Sequence, residues 1–165
     1  MKVFISHKDA DSAQALLLKK EFEKYGVPAY LDVLDNDIKL GGKQLTDHIK
    51  ENLNACSDII VVMSDKTKLS WWVPFEIGMS AQVDMPTATY LNHTVTLPDY
   101  LTYWPRLRTL NDIALYIKVR KKVATESRVL FEHYSVENRQ RYETERFYEK
   151  LKEEIAKLEA ILKSE

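Results

Sequence analysis

The sequence predicts an α/β domain, a parallel sheet with helices on both faces. Over about the first 120 residues, short apolar runs suited to strands alternate with segments of helical spacing. The opening run, Val3, Phe4 and Ile5, is apolar at every position rather than at every second one. That pattern belongs to a strand covered on both sides, the usual state of a strand in a parallel sheet. The breaks between segments also carry turn chemistry: Gly26 and then Pro28 follow the first helical stretch.

After the first strand, Asp9, Asp11 and Ser12 offer N-cap side chains. Ala15, Leu18, Phe22 and Tyr25 then recur at helical spacing up to Gly26. Residues 29–31 form the second strand. An acidic loop over 32–42 follows, opening on Asp32 and closing on the paired Gly41 and Gly42. Leu45, Ile49 and Leu53 share one face of the next helix. Residues 57–63 (SDIIVVM) are the most strand-like stretch in the chain, rich in β-branched side chains. Ser70 is placed to cap a helix carrying Trp72, Phe75, Glu76 and Met79 on one face, with Pro74 in its first turn. A fourth strand is expected over 87–91, an irregular aromatic stretch over 97–105, and a helix over 109–122 with Leu110, Ile113, Ala114 and Ile117 aligned. From about 137 onward the chain is dense in Glu, Lys and Arg, and Tyr148, Leu151, Ile155, Leu158 and Leu162 mark an amphipathic helix.

With 165 residues, 45% apolar and 30% charged, the chain is long enough for one globular domain with a substantial core. A formal net charge of −1 supplies no basic field to hold phosphates, so nucleic acid is not an expected partner. The single cysteine, Cys56, has no partner for an internal disulfide, which fits a reducing compartment. The apolar run in MKVFISHKDAD is far too short for a signal peptide or membrane span. The expectation is a cytoplasmic protein without a membrane anchor.

The turn after the first strand, ISHKDAD, has neither a dinucleotide glycine fingerprint nor a P-loop. His7, His48, His93 and His133 show no metal-ligand spacing, so no metal is expected. Gly-x-Ser-x-Gly is absent. One residue stands out. Glu76 follows Trp72 by four positions and precedes Met79 by three, so helix geometry sets it beside the apolar stripe. A carboxylate facing a core or cleft is costly to keep ionised unless it is paired or functional. Two readings stay open from the residues alone: a group that meets a developing cation or shuttles a proton, and a rim glutamate paired with a lysine or arginine.

The ordered set Val3-Phe4-Ile5-Ser6-His7 with Asp11, then Leu18, Phe22 and Gly26, then Tyr30-Leu31-Asp32, Asp37-Ile38 and Gly41, then Leu45, Ile49 and the stretch 57–64, resembles a TIR domain. The segment Ser70-Trp71-Trp72-Val73-Pro74-Phe75-Glu76 completes it: Ser70, Trp72 and Glu76 fall in the family's register, with Val73 where a cysteine is usual. The resemblance covers about residues 1–120 and implies a flavodoxin-like sheet over 1–122, with a C-terminal helical extension over 123–165 packed on the same domain.

TIR domains are either scaffolds that assemble signalling complexes or enzymes that cleave NAD and release nicotinamide. In the second class the resemblance makes Glu76 the catalytic residue and puts Phe4, Ser6, His7, Asp37, Trp71 and Trp72 at the substrate. NAD is then substrate, and no cofactor is required. The loop over 32–42 corresponds to the family segment that gates the pocket and contacts a neighbouring copy, which implies self-association. The stretch Leu97-Pro98-x-Tyr100-Leu101-x-x-Trp104 resembles stand-alone bacterial TIR proteins of Thoeris anti-phage defence. In those systems the product activates a separate effector. The expected function is therefore NAD cleavage or cyclisation in antiviral defence. The alternatives are a non-catalytic interaction module and, on the same fold, glutamate-dependent deoxyribosyl transfer.

Overall fold

Strand β1 (Val3–Ser6) is buried at all of its positions. The same holds for β3 (Asp58–Val62), whose run from Ile59 is apolar throughout, and for β4 (Thr87–Tyr90), where Thr87 and Thr89 are buried as well. With β2 (Ala29–Leu31) and β5 (Arg106–Leu107) they make a five-stranded parallel sheet in the order β2-β1-β3-β4-β5. The computed structural model describes residues 1–31, 42–91, 95–130 and 136–164. The expected loop over 32–42 therefore lies outside the described residues except for Gly42.

Strand β5 occupies positions that the sequence pattern leaves unassigned, between the irregular 97–105 stretch and the helix expected from 109. A short 3-10 turn, Asp99–Leu101, precedes it. Two residues are too few to show an alternating pattern, so β5 is defined by its partner: Thr89 N–H donates to the Pro105 carbonyl and Leu91 N–H to that of Leu107, both at 2.9 Å.

The helices are α1 (Ser12–Lys24), α2 (Gly42–Asn54), α3 (Trp72–Gln82), α4 (Leu110–Leu130) and α5 (Val136–Leu162). Right-handed crossovers decide their sides. The step from β1 to β2 runs one way along the sheet. The steps from β2 to β3 and from β3 to β4 run the other way, so α1 covers one face while α2 and α3 cover the opposite one. On the α2/α3 face, Phe4, Ile59, Val61 and Met63 form a buried cluster with Leu53, Val73 and Ile77. On α1, the buried face carries Ala15, Leu18 and Phe22, as the helical spacing predicts.

Two compact units are distinguished, Met1–Arg108 and Thr109–Glu165. The first holds the sheet with α1, α2 and α3. In the second, α4 and α5 pack on each other: the Tyr116 and Phe147 rings meet edge-to-face at 4.9 Å, and Arg120 lies over Phe147 while pairing with Glu143. Lys150 pairs with Glu126 and holds that carboxyl below the usual carboxylate range. Helix α4 runs to Leu130 rather than ending near 122, so the boundary expected at 122 falls inside one continuous helix. Among the described residues, no helix is long and apolar enough to cross a membrane.

Helix α1 ends as Gly26 predicts. Gly26 sits at φ +69°, its N–H donates to the Glu23 carbonyl at 3.0 Å, and Val27 N–H donates to that of Phe22 at 3.1 Å. This is a Schellman closure with glycine at the left-handed position. A Cβ at Gly26 would meet nothing within 4 Å. Gly26→Ala therefore introduces backbone strain without a clash, and should lower unfolding stability by about 1–2 kcal/mol, read by denaturant titration. Cys56 is buried, and burial pushes its thiol above the ordinary range. Less thiolate then exists at any given pH, so a disulfide reagent at pH 8 should label the native protein slowly and the denatured protein fully.

Candidate functional site

In a parallel sheet of this order the chain leaves β1 towards one side and β3 towards the other. The crevice that opens between their C-terminal ends is where such folds place ligands. Ser6, the last residue of β1, is paired in register with Val61 of β3. From β3 the chain passes Met63 and Ser64, makes a 3-10 turn at Thr67–Leu69, and enters α3 at Trp72. The Ser70 hydroxyl accepts from the N–H groups of Trp72 (3.3 Å) and Val73 (3.4 Å), so Ser70 caps the helix as its sequence position suggests.

The buried face of α3 is Val73, Glu76, Ile77 and Ser80. The expected stripe through Trp72, Phe75 and Met79 is corrected accordingly. Phe75 is exposed, Trp72 and Met79 are half-buried, and Trp72 meets Phe75 edge-on at 6.2 Å. Glu76 belongs to the inner stripe itself, not to its edge, and only 2% of it remains accessible. This removes the rim position from the alternative reading of that residue. Ser80, one turn on, is satisfied locally by the Ile77 carbonyl at 2.8 Å.

The Ser6 hydroxyl donates a short hydrogen bond to Glu76 Oε2. Residues 70 positions apart in sequence, one at the end of β1 and one in the second turn of α3, thus meet inside the protein at the β1/β3 crevice. The bond ties the Glu76 carboxyl to the last residue of β1.

The other sequence candidates are distributed around this pair. Phe4 is fully buried, its ring 5.5 Å from that of Tyr30, in the same cluster as Val73 and Ile77. It supports the site from the core and has no exposed surface. His7 is half-buried, with Nδ1 3.2 Å from the Ile5 carbonyl oxygen. Trp71 is 90% exposed, which excludes core packing for its indole and leaves a free aromatic surface at the start of α3. Asp37 lies outside the described residues. Other buried carboxylates of the chain have local structural tasks. Glu21 pairs with Lys24 at 2.6 Å and raises that ammonium above its ordinary range. Asp58 accepts from the Ser57 hydroxyl at 2.6 Å, and Asp112 accepts from Thr109 N–H at 2.9 Å as a helix cap. His48 is tied to Tyr30 and Asn52 at 3.3 and 3.2 Å, and no group of three or more His, Cys, Asp or Glu among the described residues is arranged to hold a metal ion.

Asp11 is the residue that the sequence pattern misread. It stands at the N-cap position of α1 but makes no capping bond there. Its Oδ2 accepts from the Ser64 hydroxyl at 2.6 Å and, by a shorter bond, from the hydroxyl of the fully buried Thr67. The available signal was an acid just after β1 and two hydroxyls just after β3, since adjacent parallel strands deliver both segments to the same end of the sheet.

Comparison with known proteins agrees with this fold. The TIR domain family model matches residues 3–130. A curated relative from Bacillus cereus (strain MSX-D12), named a probable 3′ cyclic ADP-D-ribose synthase ThsB′, is 27% identical over 79 residues, 46% of this chain and 41% of that protein. The match thus spans less than half the length of the relative. Among solved structures, the TIR domain of the Toll-related receptor TRR-2 from Hydra magnipapillata superposes with a TM-score of 0.53 at 16% identity, covering 64% of this chain and 82% of that one. A 2-deoxyribosyltransferase from Bacillus psychrosaccharolyticus gives a TM-score of 0.55 at 10% identity, covering 68% of this chain and 90% of that one. At such identities the two superpositions speak for the fold alone. The family model extends over most of the sequence, from β1 to the end of α4, and the chain belongs to the TIR domain family.

Proposed function

We propose that this chain cleaves NAD, releasing nicotinamide and an ADP-ribose-type product, and that the product serves as a signal in antiviral defence. The observation that carries the reading is Glu76, a buried carboxylate held by the Ser6 hydroxyl at the β1/β3 crevice of a TIR domain. The Bacillus cereus relative, whose name specifies synthesis of a cyclic ADP-ribose, supports the same chemistry over the matched stretch.

The bond broken joins the nicotinamide nitrogen to the anomeric carbon of the ribose. Its electron pair leaves with nicotinamide, which becomes neutral, while positive charge spreads over the anomeric carbon and the ring oxygen. A fixed carboxylate beside the ribose stabilises that charge without having to reorganise. Water completes hydrolysis and releases a proton; an adenine nitrogen attacking instead closes a ring. In this reading Ser6 orients Glu76, Phe4 supports the pair from the core, and His7, Asp37, Trp71 and Trp72 contact the substrate. NAD is consumed as substrate, no metal or further cofactor takes part, and the protein works in the cytoplasm, with its product read by a separate effector.

Glu76 is closed off in the single chain. We therefore also assign the segment over 32–42 to contact with a second copy that completes and opens the site. Nicotinamide released per molecule should rise as protein concentration is raised across the assembly range. A constant specific rate from a persistent monomer would remove this part of the proposal.

Glu76→Gln keeps size and hydrogen bonding but removes the charge. It should lower nicotinamide release on the order of a hundredfold or more, with thermal stability held or slightly raised because a buried charge is gone. Mass spectrometry of the products distinguishes ADP-ribose from its cyclic isomers. A melting temperature that falls while the rate persists would mark Glu76 as structural. No nicotinamide from the wild-type protein at any concentration would favour an interaction module.

A further inference from the structure

The Ser6–Glu76 contact joins two segments that the sheet does not tie together beyond its last hydrogen bonds. Strand β1 ends at Ser6, and β3 ends at Val62, ten residues before α3 begins at Trp72. Val73 and Ile77 pack α3 on the sheet, and the connecting segment sets where its first turns stand relative to Ser6.

Asp11 supplies a restraint from the β1 side. Its Oδ2 receives the hydroxyls of Ser64 and Thr67. The Ser64 oxygen in turn accepts the N–H groups of Lys66 and Thr67, each at 3.1 Å. Three residues past Thr67, Ser70 caps α3, and Glu76 lies in the second turn of that helix. A continuous run of hydrogen bonds and helix cap therefore leads from the β1–α1 turn to the helix that carries the glutamate.

Resting on the reading of Glu76 given above, we propose that Asp11 is a positioning residue for the reaction: its carboxylate clamps the β1–α1 turn to the β3–α3 segment and so holds Glu76 against Ser6. A carboxyl oxygen suits this task because its two lone pairs can take both hydroxyls at once. Removing it leaves the buried Thr67 hydroxyl without that acceptor and frees the lead-in to α3. A displacement of about 1 Å at a reacting group is enough to cost up to roughly a hundredfold in rate.

The test compares Asp11→Ala, Asp11→Asn, Thr67→Val and the Asp11→Ala/Thr67→Val double variant with wild type, in nicotinamide release and in thermal melting. Asp9→Asn, which removes an exposed carboxylate from the same turn, is the control. Asp11→Ala should lower kcat about tenfold or more with KM within about twofold. Asp11→Asn, which keeps one acceptor oxygen, should recover part of the loss. The double variant should be little worse than Asp11→Ala, because both changes break one clamp. If Asp11→Ala does not fold, Asp11→Asn and Thr67→Val carry the comparison. A variant that melts earlier but keeps wild-type kcat below its transition makes Asp11 a fold-stabilising residue and overturns the proposal. Should wild type release no nicotinamide, the enzymatic reading fails on its own, and crystal structures then decide the clamp. Loss of the Ser6–Glu76 bond in the Asp11 variant supports it, and retention of that bond overturns it.

Discussion

Keeping a carboxylate inside the protein is the constraint around which the site is organised. An ion taken out of water loses several kcal/mol of solvation unless fixed dipoles replace it. Glu76 faces inward from a helix whose neighbouring inward residues, Val73 and Ile77, are aliphatic. The hydroxyl that Ser6 directs at it is part of the replacement, and it is delivered by a strand whose every residue is buried. Stability alone would favour an apolar residue at that helix position. The buried polar group at that position is the observation on which the proposed role rests.

The sheet order explains why these two residues are partners. Because β1 lies between β2 and β3, the chain leaves its end on the α1 side, whereas it leaves β3 on the α3 side. The backbones part company at the carboxyl edge, and side chains from both can reach into the space between. Ser6 and Glu76 meet there, and Asp11 with Ser64 and Thr67 bridges the two exits. The Ser6–Glu76 contact and the Asp11 bridge therefore share one end of the sheet, while the Ser57–Asp58 contact belongs to the start of β3 at the opposite end.

Much of this was legible in the residues because burial on both faces leaves a strong mark. The runs Val3-Phe4-Ile5 and SDIIVVM could hardly be anything but inner strands, and Gly26 carried its left-handed role in its lack of a side chain. Other features were hidden for identifiable reasons. Strand β5 has two residues and no periodicity. The inner face of α3 was misplaced because the bulk of Trp72, Phe75 and Met79 outweighed the smaller Val73 and the polar Ser80, although the smaller pair packs inside. Glu76 stands out even from the misplaced stripe, because it lies next to Phe75 and within a turn of Trp72 and Met79. Asp11 satisfied a local rule for helix starts and a long-range one for loop bridging, and spacing within one segment cannot separate the two. The pairing of His48 with Tyr30 likewise depends on a contact 18 positions away.

The identity of Val73 has a consequence for the chemical modification of the chain. This inward position, one helical turn before Glu76, carries an aliphatic group where the TIR resemblance implies a cysteine. The chain's sole sulfhydryl is Cys56, in the segment between α2 and β3 and shielded from solvent. Thiol-directed reagents thus find no cysteine on the helix of the glutamate, whose one sulfur is the half-buried thioether of Met79. Modification of this chain by thiol reagents therefore has to reach the buried Cys56 rather than the helix of the glutamate.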